Sequence, residues 1–111
     1  MKHFFFFLSL IGLAASAQNE THFKNLRMLT HGGDNAEAYF SFDGKHASFQ
    51  SNNKAWGLKC DQIFNLDIEK AAKDSTYKPP MLSTSKGRTT CSYYLKDGKH
   101  IALVSDAGTP N

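Results

Sequence analysis

The sequence predicts an all-β chain assembled from a repeated antiparallel unit, and three observations predict it. The stretch 38–51, Ala-Tyr-Phe-Ser-Phe-Asp-Gly-Lys-His-Ala-Ser-Phe-Gln-Ser, returns at 92–105 as Ser-Tyr-Tyr-Leu-Lys-Asp-Gly-Lys-His-Ile-Ala-Leu-Val-Ser, an offset of 54 residues. Tyr39 falls on Tyr93, Asp43-Gly44-Lys45-His46 on Asp97-Gly98-Lys99-His100, and Ser51 on Ser105. A unit that cannot bury its own apolar face must stack on copies of itself, so a repeat of this kind governs architecture. Second, each copy centres on an Asp-Gly pair flanked by alternating residues, a hairpin signal. Third, helix-forming sequence is confined to a single turn at Glu69–Lys73, and Pro79-Pro80 ends any continuation because proline lacks the amide donor.

Taken in order, Met1-Lys2-His3 is a short basic start, Phe4 to Ala15 is almost wholly apolar, and Ala15-Ser16-Ala17 is a small-x-small cleavage site. This predicts a secretory signal peptide over 1–17 and a mature chain beginning near Gln18. The apolar run falls well short of the ~20 residues a spanning helix needs, so no transmembrane segment is expected and the product is expected to be periplasmic or secreted. Asn19-Glu20-Thr21 matches a glycosylation acceptor. Leu26–Thr30 reads as a brief strand stopped by the turn cluster His31-Gly32-Gly33-Asp34-Asn35, whose glycines lack the Lys and the helix of a phosphate-cradling loop.

Strands follow over Ala38–Phe42 and His46–Ser51, joined by the Asp43-Gly44 turn. After the break at Asn52-Asn53-Lys54 comes a third, mostly apolar strand, Gln62–Ile68, suited to cover on both faces. Met81–Thr84 reads as a fourth short strand, and the second copy pairs Cys91–Leu95 with His100–Ser105 across Asp97-Gly98. Four antiparallel strands per unit of ~40–50 residues is the arithmetic of a propeller blade.

At 111 residues the chain holds one domain at most. Without Lys2 its 13 Lys plus Arg become twelve against 10 Asp plus Glu, a scattered balance that gives nucleic-acid binding no support. Cys60 and Cys91 lie in a chain bound for an oxidising compartment. Either they form a disulfide, closing a loop that would stabilise by roughly 3 kcal/mol, or each is a small buried hydrophobe. A thiol redox role would want Cys-x-x-Cys, which is absent.

His46 and His100 hold equivalent places after the two turns. Equivalent positions in neighbouring units are expected to be well separated, and no acidic or Cys partner sits at ligand spacing, so they read as half-exposed strand residues and no metal or cofactor is expected. Asp43 and Asp97 precede glycines, and turn formation explains both, together with Gly44, Lys45, Gly98 and Lys99. No serine lies in Gly-x-Ser-x-Gly or beside an evident base, so the chain reads as non-enzymatic. Tyr39, Phe40, Phe42, Phe49, Phe64, Tyr93 and Tyr94 follow strand alternation and are expected to fill space between units. Trp56 sits in a polar loop that neither the repeat nor strand periodicity explains. It reads either as a binding contact or as a ring folded back over the blade edge.

The pattern of an aromatic, Ser-x-Asp-Gly-Lys and a short apolar strand ending in Ser resembles the WD40-like repeat of TolB-type β-propellers, commonly Trp-Ser-Pro-Asp-Gly-Lys. The first copy is Tyr39-Phe40-Ser41-Phe42-Asp43-Gly44-Lys45, with Phe42 at the proline position. The second is Tyr93-Tyr94-Leu95-Lys96-Asp97-Gly98-Lys99, with Leu95 at the serine and Lys96 at the proline. Cys60-Asp61-Gln62-Ile63-Phe64 and Arg88-Thr89-Thr90-Cys91 further resemble a subgroup of secreted propellers of Bacteroidetes-like bacteria. The resemblance implies a partial β-propeller of about two four-stranded antiparallel blades after the signal peptide, blade one about 26–78 and an incomplete blade two about 79–111. It implies a non-catalytic module binding a protein partner or small ligand in the cell envelope. Rings of this kind need at least ~4 blades, so the resemblance also implies a portion of a longer propeller, or a homo-oligomer in which blades close between chains. The alternative is the N-terminal propeller of a prolyl-oligopeptidase-type serine peptidase whose catalytic domain is missing from these residues.

Overall fold

The computed structural model describes residues 22–107. The signal-peptide expectation, its cleavage site and the Asn19-Glu20-Thr21 acceptor lie outside them. Five strands, one 3-10 turn and one short helix follow in order: β1 (Asn35–Phe40), β2 (His46–Ser51), a 3-10 turn (Lys54–Trp56), β3 (Gln62–Asp67), α1 (Ile68–Lys73), β4 (Thr89–Tyr94) and β5 (Ile101–Ser105). They form two antiparallel sheets, β1-β2-β3 and β4-β5.

The repeat is a repeat of structure, residue for residue. In the first hairpin Asn35 pairs Ser51, Ala36 pairs Gln50, Tyr39 pairs Ser48 and Phe40 pairs Ala47. In the second, Thr89 pairs Ser105, Thr90 pairs Val104, Tyr93 pairs Ala102 and Tyr94 pairs Ile101, the same four moved by the repeat offset, with Ser92 and Leu103 as a further pair. Both hairpins carry a bulge at the same place, and the bulged residues Glu37 (φ 51) and Cys91 (φ 47) are left-handed without being glycine. The turns agree as well: Gly44 N–H donates to Ser41 O at 2.9 Å and Gly98 N–H to Leu95 O at 3.1 Å, with both glycines at φ 68.

Strand alternation divides the first sheet into two faces. Register places Ala47, Phe49 and Ser51 with Leu66, Phe64 and Gln62 on one face, and Ser48 and Gln50 with Asn65 and Ile63 on the other. The first face is the core. Phe49 and Phe64 stand 5.8 Å apart, and Trp56, Leu58, Ile68, Ala71 and Tyr77 pack over the same cluster. Helix α1 brings Ala71 there, its start fixed by the Asp67 side chain, which accepts the Lys70 N–H at 3.0 Å. The second face receives β4, which crosses all three strands of the first sheet. The tyrosines Tyr39 and Tyr93 meet edge-on there at 5.8 Å. Ser48 and Ser92, both buried, leave their hydroxyls unpartnered in β2 and β4, where small side chains let the sheets approach.

Two strand expectations are corrected. Leu26–Thr30 forms no strand: Leu26 and Met28 are exposed and only Leu29 reaches the core. Met81–Thr84 forms a single bridge, Met81 with Phe64, although Pro80 O accepts from Asn65 N–H and Leu82 N–H donates to Ile63 O. The ladder stops because the Ile63 N–H goes to the Ser83 hydroxyl at 3.0 Å instead of a backbone carbonyl, and Ser83 in turn donates to Gln62 Oε1 at 2.7 Å. The first unit is thus three strands and a bridge, and the second, among the described residues, is two strands. Replacing Ser83 by Ala leaves the buried Ile63 amide unsatisfied, with an expected loss of about 1–3 kcal/mol, measured by denaturant unfolding.

Candidate functional site

The two repeat turns lie at the same end of their sheets, and face-to-face packing of the sheets brings them onto one cleft. It has a volume of about 420 Å³ and is lined by Ser41, Phe42, Asp43 and His46 from the first unit, Gly98, Lys99, His100 and Ile101 from the second, and Asn65, Leu82 and Tyr94 between them. His46 and His100, in equivalent places of the two stacked units, both line this cleft. Among the described residues no group of three or more His, Cys, Asp or Glu side chains could hold a metal ion.

The floor of the cleft is a hydrogen bond between the sheets, Tyr94 Oη donating to Asn65 Oδ1 at 2.6 Å. Burial, and after it the negative charge of Asp43, raise the Tyr94 phenol above its ordinary value and keep it a donor. Tyr94→Phe removes this bond and strands the Asn65 carbonyl, so a loss of about 1–2 kcal/mol is expected in denaturant unfolding.

The walls are the turns, and they satisfy the same backbone needs differently. In the first, the Ser41 hydroxyl donates to Asp43 Oδ1 at 2.7 Å and accepts the His46 N–H at 3.0 Å. Asp43 Oδ1 also takes the Lys45 N–H at 3.0 Å, and these bonds, the serine's first, hold its carboxyl below the ordinary range. In the second, Leu95 offers no hydroxyl. Asp97 Oδ1 accepts both the Lys99 N–H at 2.9 Å and the His100 N–H at 3.0 Å, and Oδ2 meets His100 Nδ1 at 2.6 Å. The His100 contact leads in lowering the Asp97 carboxyl to about 2.

A folded-state value below the unfolded one contributes stability that is present above the unfolded value and lost as pH falls through the folded one. A carboxyl titration by NMR is therefore expected to find Asp97 near 2, against the ordinary 3.8, and His100→Ala is expected to return it toward 3.8. A midpoint unchanged by that substitution would show that the imidazole contact is not made.

The remaining sequence candidates fall elsewhere. Trp56 folds back, 5.0 Å from the Phe64 ring, and is only partly exposed; Asn53 Oδ1 caps its 3-10 turn by accepting the Ala55 N–H at 3.0 Å. Cys60 and Cys91 are both free, and neither is a buried hydrophobe, Cys60 being partly exposed and Cys91 exposed. Cys60 Sγ lies 3.2 Å from Gly87 O. The Cys91 thiol bonds the side chain of Glu37, its counterpart in the other bulge, and that contact raises it above its ordinary value. A thiol so held is a poor nucleophile. Phe40 is exposed and does not fill an inter-unit space, whereas Tyr39, Phe42 and Tyr93 meet where the hairpins cross.

Asn65 and the Tyr94 hydroxyl are the site residues that sequence reasoning passed over. A polar Asn inside the run Ile63-Phe64-Asn65-Leu66 was the available signal, since a polar side chain on a covered strand needs a partner. Among the described residues no helix is long and apolar enough to cross a membrane. No family model, curated protein or solved structure matches this chain.

Proposed function

We propose that this chain is a non-catalytic binding module of the cell envelope, exported to the periplasm or beyond, whose two units are blades of a TolB-like β-propeller and whose ligand site is the cleft between them. The observation that carries the reading is the pair of superimposable hairpins, with matching register, bulge and turn, stacked so that both turns wall a single cleft. A concave site with a few convergent polar groups among apolar ones is the common form of a small-ligand pocket. Here Asp43, His46, Asn65, Lys99 and His100 supply the polar groups, and Phe42, Leu82 and Ile101 the apolar ones. The carboxylate of Asp43 is engaged by turn bonds and the Tyr94 phenol is held protonated, so neither is poised as a base. The reading is of recognition without turnover.

The test is an NMR titration of the chain with a panel of envelope-type ligands: mono- and disaccharides, amino acids and short peptides. Binding is expected to shift the amides of 41–46 and 98–101 together, with the ligand recovered unchanged. The double variant His46→Ala/His100→Ala is expected to weaken binding about tenfold, or ~1.4 kcal/mol. Chemical conversion of a ligand, or binding that leaves both turns unshifted, would overturn the reading. Export is tested separately by sequencing the N-terminus of the secreted product, expected near Gln18.

A further inference from the structure

We propose that the cleft between the two turns takes a zwitterion with an apolar body, its ammonium group against Asp43 and its carboxylate against Lys99. The inference rests on the reading of that cleft as a ligand site and names the chemistry of the ligand. Both turns carry the same four residues, Asp-Gly-Lys-His, yet they present opposite charges to the gap. The first wall contributes Asp43 and not Lys45, and the second contributes Lys99 and not Asp97. A repeated sequence has thus built a dipolar site.

The bonds within the turns account for the difference. Asp43 takes the Ser41 hydroxyl at 2.7 Å and the Lys45 N–H at 3.0 Å, both on Oδ1, so Oδ2 is left to accept from a ligand. Its charge reaches the floor of the cleft, where it helps raise the Tyr94 phenol. The Oδ2 of Asp97, by contrast, already meets His100 Nδ1 at 2.6 Å within its own turn. Lys99 enters no ion pair among the described residues, so its ammonium group is available to an anion.

A cation or an anion alone would satisfy one wall and face the like charge of the other. A zwitterion satisfies both, through charge-assisted hydrogen bonds that are roughly twice as strong as neutral ones. Between the walls Phe42 is 57% and Leu82 39% exposed, and Ile101 is half-buried, apolar surface that an aliphatic group of the ligand would cover. A cleft of about 420 Å³ is of small-ligand size, and a free apolar amino acid and a short apolar peptide share the chemistry it asks for.

The probes are leucine and leucyl-leucine, each beside its N-acetylated form, which lacks the ammonium group, and its C-amidated form, which lacks the carboxylate. Each is titrated at neutral pH into the 111-residue chain and followed by the amide shifts of 41–46 and 98–101. At least one zwitterion is expected to bind about tenfold or more tightly than both of its capped forms. Which of the two does so distinguishes a free amino acid from a peptide. Asp43→Asn keeps an acceptor for the turn and is expected to weaken the amidated form more than the acetylated one, and Lys99→Gln is expected to do the reverse. Capped forms that bind as tightly as their parents, or variants that weaken both forms alike, overturn the proposal. So does binding of an uncharged saccharide in place of either zwitterion, an outcome that leaves the cleft a ligand site. Turns unshifted by every probe, saccharides included, overturn the reading of the cleft as well.

Discussion

Phe64→Ala is expected to cost about 3–5 kcal/mol in denaturant unfolding, the largest loss of any single truncation in this chain. Phe64 is 1% exposed, sits in the central part of β3, and is the ring that Phe49 meets at 5.8 Å and Trp56 at 5.0 Å. It also carries the bridge to Met81 that holds the connection between the units against β3. Truncation leaves a cavity under Trp56 that neighbouring strands, tied by their ladders, fill only partly. Trp56 fluorescence reports the same event, since the indole loses its apolar neighbour and is expected to shift toward the emission of a wetter ring. A loss below about 1 kcal/mol would mean that the cluster is not packed as described.

Gly33→Ala is expected to cost about 3 kcal/mol by a different route, through backbone collision and not lost burial. Gly33 has φ +71, and a Cβ there would lie 2.7 Å from the Cα and Cβ of Asn53. Asn53 has little room to give, being 4% exposed. Its Nδ2 donates to His31 O at 3.2 Å and to Gly32 O at 3.3 Å, and its Oδ1 caps the turn that carries Trp56. The residue thus clamps the lead before β1 to the end of β2, and a methyl group at position 33 pushes the clamp open. The matching measurement is unfolding of Gly33→Ala beside Asn53→Ala. If both variants disrupt the same clamp, the double variant is expected to lose clearly less than the sum of the two. Full additivity would separate glycine from clamp.

The hairpins were legible because their signals are local. Asp43-Gly44 and Asp97-Gly98 mark turns by composition, β2 matches its expected bounds, and β3 and α1 fall within a residue of theirs. The bulges were not legible. Glu and Cys have no preference for a left-handed conformation, and the strands begin at Asn35 and Thr89, upstream of the last visible identity between the copies. The lead misled because Leu26 and Met28 alternate like a strand, while the segment after them is held by side chains instead of a ladder: Asn35 Nδ2 donates to Gly32 O, and Asn53 Nδ2 to His31 O. The cleft was hidden for a broader reason. Where two turns sit in sequence says nothing of whether stacking sets them apart or together, and the Tyr94 to Asn65 bond that spans the gap joins residues 29 positions apart.

The two turns also show that one turn sequence can be closed in two ways. Both copies carry the histidine that follows Asp-Gly-Lys, yet only in the second does its ring hold the aspartate, where Leu95 offers no hydroxyl such as that of Ser41. His46 occupies the place that His100 holds in the second turn. In denaturant unfolding, Ser41→Leu is expected to be tolerated alone and harmful alongside His46→Ala, whereas in the second turn His100→Ala is expected to be harmful at once and rescued by Leu95→Ser. The two turns thus reach the same closure through different residues.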